Sequence, residues 1–351
     1  MTRDPLDAPA TPDVLRALAA AGVLSDQALE RALVAAGVRP DPRTWYRFAH
    51  DRLLFVGACL CAAGVVFFVA ANWSALHPWA RMGLVAGGLL ATAIAAGALG
   101  LRTVPGQAAL LLSGLLFGPL VAIYGQAYQT GADAWELFAL WTAVFTAHAL
   151  LARFGALWVA WLILLHTAAF TFTVQSLPGD FFAGDQAVAL AVIAGADAAI
   201  VALAHALLSG SEAMILARCA ATAGLGLLTG VATFVAATLE LEPGQWPGVV
   251  ALPVAWAAMA ALYRRRRPDL FMLSLLAVSV LVIASCGIGH VVFETLDLDE
   301  GGLWVMGFLV CFEVWLLTRW LLYWRREHQT LASAAGAAGP GAASEDRGGA
   351  P

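Results

Sequence analysis

Ten apolar runs, each long enough to cross a bilayer as a helix, constrain this chain more than any other feature. They lie near residues 53–71, 80–100, 107–126, 134–152, 155–174, 187–208, 216–239, 247–263, 269–290 and 303–324. The fourth and fifth runs are joined so closely that they must form a helical hairpin. Only 12% of residues are charged, about half the share typical of soluble domains. The sequence therefore predicts an all-α polytopic membrane protein with about ten transmembrane helices.

Composition divides the chain into three segments. Residues 1–50 are polar and of mixed charge, residues 51–326 carry the apolar runs, and residues 327–351 are rich in Ala, Gly and Ser. The first segment holds two short amphipathic patterns, and Ser25 is a good N-cap for the second. We expect a short cytosolic helical pair that packs on itself or on the membrane face, because helices this small bury little core. The last segment has too few apolar residues to fold and is expected to be disordered.

The arginines predict the orientation of the spans. All 19 basic residues are Arg, and beyond the N-terminal segment most fall in alternate turns and after the last span, while the opposite turns hold mainly acids. Because basic residues are retained on the cytoplasmic side, both termini are expected in the cytoplasm. The absence of Lys, together with abundant Ala and Gly, is typical of a GC-rich bacterium. The expected location is therefore the bacterial cytoplasmic (inner) membrane.

A polar and aromatic elbow joins the first two spans between Gly64 and Arg81. Pro78 can begin the second helix, since its missing N–H costs nothing in a first turn. Trp73 and Trp79 bracket the elbow, as expected of rings at a bilayer interface. The predicted orientation places this elbow on the periplasmic side.

A second polar cluster ends the third span on the same predicted side, after Pro119, which is expected to kink the helix. With the elbow, and with acidic Asp133 and Glu136 nearby, it predicts a periplasm-facing pocket for a small polar ligand, a peptide or a lipid headgroup. The alternative is an interfacial aromatic belt with hydrogen bonds that hold two hairpins together. The candidate binding residues are Asn72, Trp73, His77, Tyr124, Gln126, Tyr128 and Gln129.

Three stretches in this region carry a resemblance to a known family. They are Phe-Val-Ala-Ala-Asn-Trp at 68–73, His-Pro-Trp-Ala-Arg at 77–81 and Tyr-Gly-Gln-Ala-Tyr-Gln at 124–129. Over roughly residues 10–150 the chain resembles an uncharacterised family of bacterial predicted membrane proteins, a domain of unknown function with an Ala-Asn-Trp elbow and a Gly-Gln-x-Tyr motif. The resemblance implies a membrane location and brings no activity or catalytic residue with it.

Ionisable residues inside the spans are functional candidates, because charges are costly in a bilayer. Asp197 lies mid-span with His205 two helical turns further along the same face, and Glu313 lies near the middle of the last span. His148 and His166 lie in the predicted hairpin. These residues predict a proton or cation pathway through Asp197, His166 and Glu313. The alternative is that each hydrogen-bonds a neighbouring helix.

No motif of a soluble enzyme is present in the sequence. It contains no His-Glu-x-x-His, no Gly-x-Ser-x-Gly and no phosphate-binding loop. The five cysteines lie within apolar runs, where Cys acts as a small hydrophobe, and the net charge of −5 does not favour a nucleic-acid partner. We therefore expect neither an enzyme nor a cofactor or metal site.

Two classes of function remain open. The first is a binding, sensing or scaffold protein that uses the periplasm-facing pocket. The second is a proton- or cation-coupled secondary transporter that uses Asp197 and Glu313. The expected partners are the lipid bilayer and a small polar ligand or protein partner.

Overall fold

The computed structural model describes residues 11–39, 42–298 and 300–337. Within these residues the chain forms 12 α-helices and no strand, which confirms the predicted all-α class. The helices are α1 (Pro12–Ala20), α2 (Asp26–Ala35), α3 (Pro42–Ala71), α4 (Pro78–Leu99), α5 (Val104–Tyr128), α6 (Ala134–Ala152), α7 (Gly155–Ser176), α8 (Gly184–Leu207), α9 (Gly210–Thr238), α10 (Trp246–Ala261), α11 (Leu270–His290) and α12 (Glu300–Ala337).

Ten of these helices, α3 to α12, correspond to the ten segments that are long and apolar enough to cross a membrane by length and composition. They coincide with the ten predicted runs. The last helix continues to Ala337, past the predicted segment boundary at residue 326. The rest of the tail that was expected to be disordered, residues 338–351, lies outside the described residues.

The N-terminal helices α1 and α2 pack against each other. Thr11 caps the first helix by accepting a hydrogen bond from Val14 N at 3.4 Å, and Ser25 caps the second by accepting one from Ala28 N at 3.3 Å. Leu15 and Leu33 are the buried apolar residues of the pair. This agrees with one of the two expected arrangements, packing of the helices on each other.

The chain forms two compact units, residues 1–130 and residues 131–351. In the first unit α3 and α4 both pack against α5. The buried apolar core between them is formed by Ala62, Val69, Val85, Leu116 and Ile123. The helix α5 is therefore the scaffold on which the elbow between α3 and α4 is held.

In the second unit α9 is the central helix, in contact with α7, α8, α10 and α11. Its buried face combines leucine and valine with small residues three or four positions apart, namely Ala217, Ala220 and Gly224. Small residues at this spacing let helix backbones approach closely in a membrane. Two helices approach closely at Gly224, where an added Cβ would lie 2.8 Å from Cβ of Asp197 on α8.

The predicted hairpin between the fourth and fifth spans is formed by α6 and α7. Arg153 ends α6 in the left-handed region with φ of 49°, and α7 begins two residues later. Trp161 Nε1 donates a hydrogen bond to Thr146 Oγ1 at 2.8 Å across the two helices. The short connection forces the two helices to run antiparallel.

The turns before α8 and before α10 interlock at one end of the second unit. Gln245 Nε2 donates to the carbonyl of Phe182 at 3.0 Å. An added Cβ on Gly244 would lie 2.1 Å from the carbonyl oxygen of Gly184, so only glycine fits there. These contacts fix the start of α8 beside the start of α10.

Candidate functional sites

The elbow between α3 and α4 is held by Arg81, a residue that is only 9% exposed. Its Nε donates to the carbonyl of Leu76 at 2.9 Å, and its Nη2 donates to the carbonyl of Trp73. The guanidinium also lies 3.8 Å from the centre of the Trp73 ring. Sequence reasoning used Arg81 to mark the end of the elbow and as part of the 77–81 motif, and did not predict that its side chain holds the elbow. The sequence signal that could have revealed this role is that Arg81 is an isolated arginine among turns that otherwise hold mainly acids.

Three of the predicted binding residues complete helix ends. Asn72 Nδ2 donates to the carbonyl of Phe68 at 2.8 Å, one turn back on its own helix. His77 caps α4, its Nδ1 accepting from Trp79 N at 3.4 Å. Gln129 follows α5 in the left-handed region with φ of 47°. The side chains of Asn72 and His77 therefore have local structural partners.

Two further predicted residues, Tyr124 and Tyr128, form an aromatic cluster with Trp79. The two tyrosine rings are 4.7 Å apart, and Trp79 lies 6.4 Å from Tyr128 in an edge-on arrangement. All three rings are about half exposed or more. An exposed cluster of amphipathic rings at the ends of spans is typical of a membrane interface.

A cavity of about 410 Å³, here called the elbow cavity, lies between α3, α4 and α5. Of the seven predicted binding residues, Trp73 and Gln126 line it. The other lining residues are Val66, Val69, Ala70, Val85, Pro119, Ala122 and Ile123. The walls are therefore almost entirely apolar, which suits a hydrocarbon group better than the small polar ligand expected from the sequence. Asp133 and Glu136 belong to the second unit.

In the second unit the structure brings together two of the predicted ionisable residues, His166 of α7 and Asp197 of α8. Nε2 of His166 lies 3.0 Å from Oδ2 of Asp197. The Asp197 side chain is 2% exposed and that of His166 is 24% exposed. Both residues lie near the middle of their helices. A buried carboxyl at this depth is stable only with a partner that supplies a proton or a charge.

The other ring nitrogen of His166 also faces an oxygen. Its Nδ1 lies 2.9 Å from the carbonyl oxygen of Leu162. A neutral imidazole has one N–H and one lone pair, so it cannot donate to both oxygens. Both contacts can be hydrogen bonds only when the pair carries one extra proton, compared with a neutral His166 beside an ionised Asp197. Either the imidazole is protonated on both nitrogens or the Asp197 carboxyl carries a proton and donates it to Nε2.

The pair lies between two cavities. Asp197 lines a cavity of about 680 Å³ between α8, α9 and α10, here called the α8–α10 cavity. His166 lines a second cavity of about 590 Å³, formed mainly by α7 and α9 and called the α7–α9 cavity. Asp197 belongs to the lining of the first cavity and His166 to that of the second. The hydrogen bond between them thus connects the two cavities.

His205 forms a different kind of cluster at the end of α8. Its Nδ1 accepts a hydrogen bond from Arg267 Nη1 at 2.9 Å, and its Nε2 lies 3.0 Å from Tyr263 Oη. Because arginine can only donate, Nδ1 carries the lone pair and Nε2 carries the proton. This histidine is therefore neutral in the structure. The three residues line the same α8–α10 cavity as Asp197.

Arg218 and Asp269 form an ion pair at the same end of the second unit. Nε and Nη2 of Arg218 each donate to an oxygen of Asp269 at 3.0 Å. Asp269 Oδ1 also accepts from Phe271 N at 2.9 Å and so caps α11. Arg218 lines the α7–α9 cavity, but its charge is balanced there by the carboxylate.

The two remaining predicted ionisable residues lie apart from the His166–Asp197 pair. Glu313 of α12 accepts a hydrogen bond from Ser285 of α11 at 2.5 Å and lines neither cavity. His148 of α6 contacts the carbonyl of Val144 on its own helix at 3.2 Å. A route combining Asp197, His166 and Glu313 in one contiguous cluster is therefore not present among the described contacts.

The fold defines the class: a multi-pass α-helical membrane protein, with its long apolar helices in contact with lipid. Residues 16–158 match the model of the family described as "Predicted membrane protein (DUF2157)", whose function is unknown. This confirms the resemblance recognised in the elbow and Gly-Gln-x-Tyr motifs. The matched range ends before His166 and Asp197. No curated protein and no solved structure matches the chain.

Proposed function

We propose that this protein is a proton-coupled secondary transporter in which His166 and Asp197 carry the coupling proton. The observation that supports this most is the hydrogen-bond pattern at His166. Oxygens face both ring nitrogens at 2.9 and 3.0 Å, so the pair accommodates one extra proton. Loss of that proton would leave one imidazole nitrogen with its lone pair facing an oxygen, either that of the Asp197 carboxylate or that of the Leu162 carbonyl. The contact at that nitrogen would then break or rearrange.

The position of the pair also supports this role. Secondary transporters place substrate and coupling-ion sites near the middle of the membrane, where the two sides gain access in turn. Asp197 lines the α8–α10 cavity, and His166 lines the α7–α9 cavity. The proton can therefore move between Oδ2 and Nε2 and so pass from one cavity to the other.

The proposal modifies the pathway expected from the sequence, in which Glu313 was the second acid. Glu313 has Ser285 as its partner on α11 and is left out of the proposed proton site. His166, which was already part of the expected pathway, is retained because it contacts Asp197 directly. No covalent step is involved, so the proposed protein is not an enzyme and needs no cofactor.

We further propose that the protein lies in a bacterial cytoplasmic membrane with both termini in the cytoplasm. The turn between α10 and α11 holds Arg264–Arg267, and such basic turns are retained on the cytoplasmic side. The end of the α8–α10 cavity that bears Arg267 then faces the cytoplasm.

The test is proton movement into vesicles that contain the purified protein and a trapped pH-sensitive dye. Under an imposed pH gradient, with valinomycin and potassium to balance charge, wild-type protein is expected to carry protons faster than empty vesicles. Asp197→Asn and His166→Gln are each expected to lower this flux about 100-fold or more, as expected for loss of a proton-transfer group.

Asp185→Asn is the matched control for the carboxylate change. It removes a carboxylate from the exposed first turn of the same helix and is expected to leave the flux unchanged. Glu313→Gln is expected to behave like this control. Equal flux in wild-type protein and Asp197→Asn would overturn the proposed function.

A second candidate function is lipid binding at the elbow cavity, in a binding, sensing or scaffold role. Its support is the combination of apolar walls with a single amide, Gln126, and the Trp73 ring. Such a cavity suits the acyl chain of a bilayer lipid with its ester group near the amide. Photo-crosslinking with a diazirine phospholipid is expected to label the elbow peptides in wild-type protein and to label them less in Gln126→Leu. Equal labelling of the two proteins would contradict this function.

A further inference from the structure

The α8–α10 cavity has an uneven distribution of charge. Its walls are built mainly from alanine and other small or apolar residues of α8, α9 and α10. Arg266 and Arg267 line one end, and Asp197 lines the cavity eight residues before His205 along α8. Eight residues correspond to about 12 Å of helix. The cavity is therefore a mainly apolar space with a cationic end and an acid about two helical turns from it.

The positive charge at the cationic end is not balanced by the groups nearest to it. His205 is neutral because Arg267 donates to its Nδ1 at 2.9 Å, and Tyr263 is its other partner at 3.0 Å. The nearby carboxylate of Asp269 is engaged by Arg218 through two hydrogen bonds of 3.0 Å. The contacts with His205 occupy only part of the five-donor guanidinium of Arg267. An anionic group can therefore bind to this arginine without displacing the histidine.

From this distribution we infer that the ligand of the α8–α10 cavity is an organic anion with an apolar chain, its charged group at Arg266 and Arg267 and its chain along the alanine-lined wall toward Asp197. The inference rests on the proposed function in one respect, namely that this cavity is the substrate site of the transporter. The charge complementarity selects an anion over a neutral or cationic amphiphile.

The inference also explains how a proton would be coupled to the ligand. An ionised Asp197 would repel an anion that enters the cavity, whereas the proton-loaded pair with His166 has no net negative charge. One anion and one proton then enter together with no change in net charge. The titratable and charged groups that set this balance come from α7, from α8 and from the segment after α10. They are His166 on α7, His205 on α8, and Tyr263, Arg266 and Arg267 after α10, while the cavity-lining residues of α9 are alanine, glycine and leucine.

Three probes that have the same chain length but differ in charge test the inference. They are decanesulfonate (anionic), decyltrimethylammonium (cationic) and decyl alcohol (neutral). Saturable retention of each radiolabelled probe is measured on immobilised nanodiscs of phosphatidylcholine that contain the full chain, with empty nanodiscs as background. Wild-type protein is expected to bind the anion at least tenfold more tightly than either other probe.

Two pairs of variants locate the binding. Arg267→Gln is expected to weaken decanesulfonate binding about tenfold, and Arg264→Gln, in the same basic turn but outside the cavity lining, is expected to have no effect. Ala198→Leu narrows the cavity and is expected to weaken binding, while Ala196→Leu, also on α8 but outside the lining, is the steric control. The steric pair keeps the test informative if Arg267→Gln fails to fold.

The outcomes separate this inference from the proposed function. Decanesulfonate binding that is tighter at low pH in wild-type protein, and independent of pH in Asp197→Asn, supports both. Anion selectivity without any pH dependence or proton flux supports the ligand class and overturns the coupling. Equal affinity for the three probes, or a preference for the cation, overturns the ligand class even if Asp197 is required for proton flux.

Discussion

Nε2 of His166 lies 3.0 Å from Oδ2 of Asp197, and this contact between α7 and α8 exists because α9 presents a glycine, Gly224, at the same level. An added Cβ on Gly224 would lie 2.8 Å from Cβ of Asp197 and 3.2 Å from its Oδ2. The proposed proton site is therefore determined by three helices.

Gly224→Ala is expected to displace Asp197 and to lower both stability and proton flux. Overpacking of this kind costs about 1–3 kcal/mol, which outweighs the gain of up to about 1 kcal/mol from replacing glycine in a helix. Thermal unfolding in one detergent, followed by intrinsic fluorescence, measures the change. Gly226→Ala, on the same helix, is the control, because an added Cβ at Gly226 would meet no atom within 4 Å. Equal unfolding temperatures for the two variants would contradict the packing described here.

Arg218→Gln is expected to destabilise the second unit by about 1–3 kcal/mol, because it leaves the carboxylate of Asp269 without its bidentate partner. This free-energy loss is smaller than that for a fully buried ion pair, because the side chain of Arg218 is partly exposed to solvent. Combining Arg218→Gln with Asp269→Asn is expected to cost less than the sum of the two single changes, since the uncompensated charge is removed. Arg264→Gln in the exposed turn is the control for loss of an arginine. Additive losses would show that the pair is not coupled.

Arg81→Gln is expected to destabilise the elbow by about 1.5–3 kcal/mol, because hydrogen bonds from the guanidinium to two backbone carbonyls are lost. Asn72→Ala, which removes a single neutral hydrogen bond, is expected to cost only about 0.5–1.5 kcal/mol. Thermal unfolding of both variants shows which substitution destabilises the protein more. Arg102→Gln, at an exposed arginine, is the control. A larger loss of stability in Asn72→Ala than in Arg81→Gln would contradict the conclusion that Arg81 holds the elbow.

Single cysteines placed at Asp180 and Arg265, in a background without the five native cysteines, report the orientation of the second unit. A membrane-impermeant maleimide added to intact spheroplasts is expected to label Asp180→Cys, in the turn before α8. It is expected to label Arg265→Cys only after the cells are opened. Labelling of Arg265→Cys in intact spheroplasts would place the basic turn outside and contradict the orientation inferred from the arginines.

Much of the fold could be predicted from the sequence, because each feature rests on a local signal. Apolar runs of membrane-spanning length predicted all ten long helices, and the short connection at Arg153 predicted the α6–α7 hairpin. The N-cap at Ser25 was also recognisable. These features depend on residues close together in the chain, where spacing alone limits the conformations.

The sites depend on contacts between distant residues, and here the sequence was less informative. His166 and Asp197 are 31 positions apart, and their pairing depends on the packing of α9 against α8 at Gly224. Asn72 is suited equally to a ligand and to its own helix, and only the structure shows the contact with the carbonyl of Phe68. Glu313 was grouped with Asp197 because both are acids at mid-span, but its partner is Ser285.

The most direct test of the central claim is an NMR titration of the protein in lipid, with ¹⁵N-labelled histidine and ¹³C-labelled aspartate. If His166 and Asp197 share a proton, the His166 ring nitrogens and the Asp197 carboxyl carbon are expected to shift together, with one common midpoint. In Asp197→Asn the His166 signals are expected to titrate at a different pH, while those of His205 stay unchanged. An identical His166 titration in wild-type protein and Asp197→Asn would show that the two residues do not share a proton.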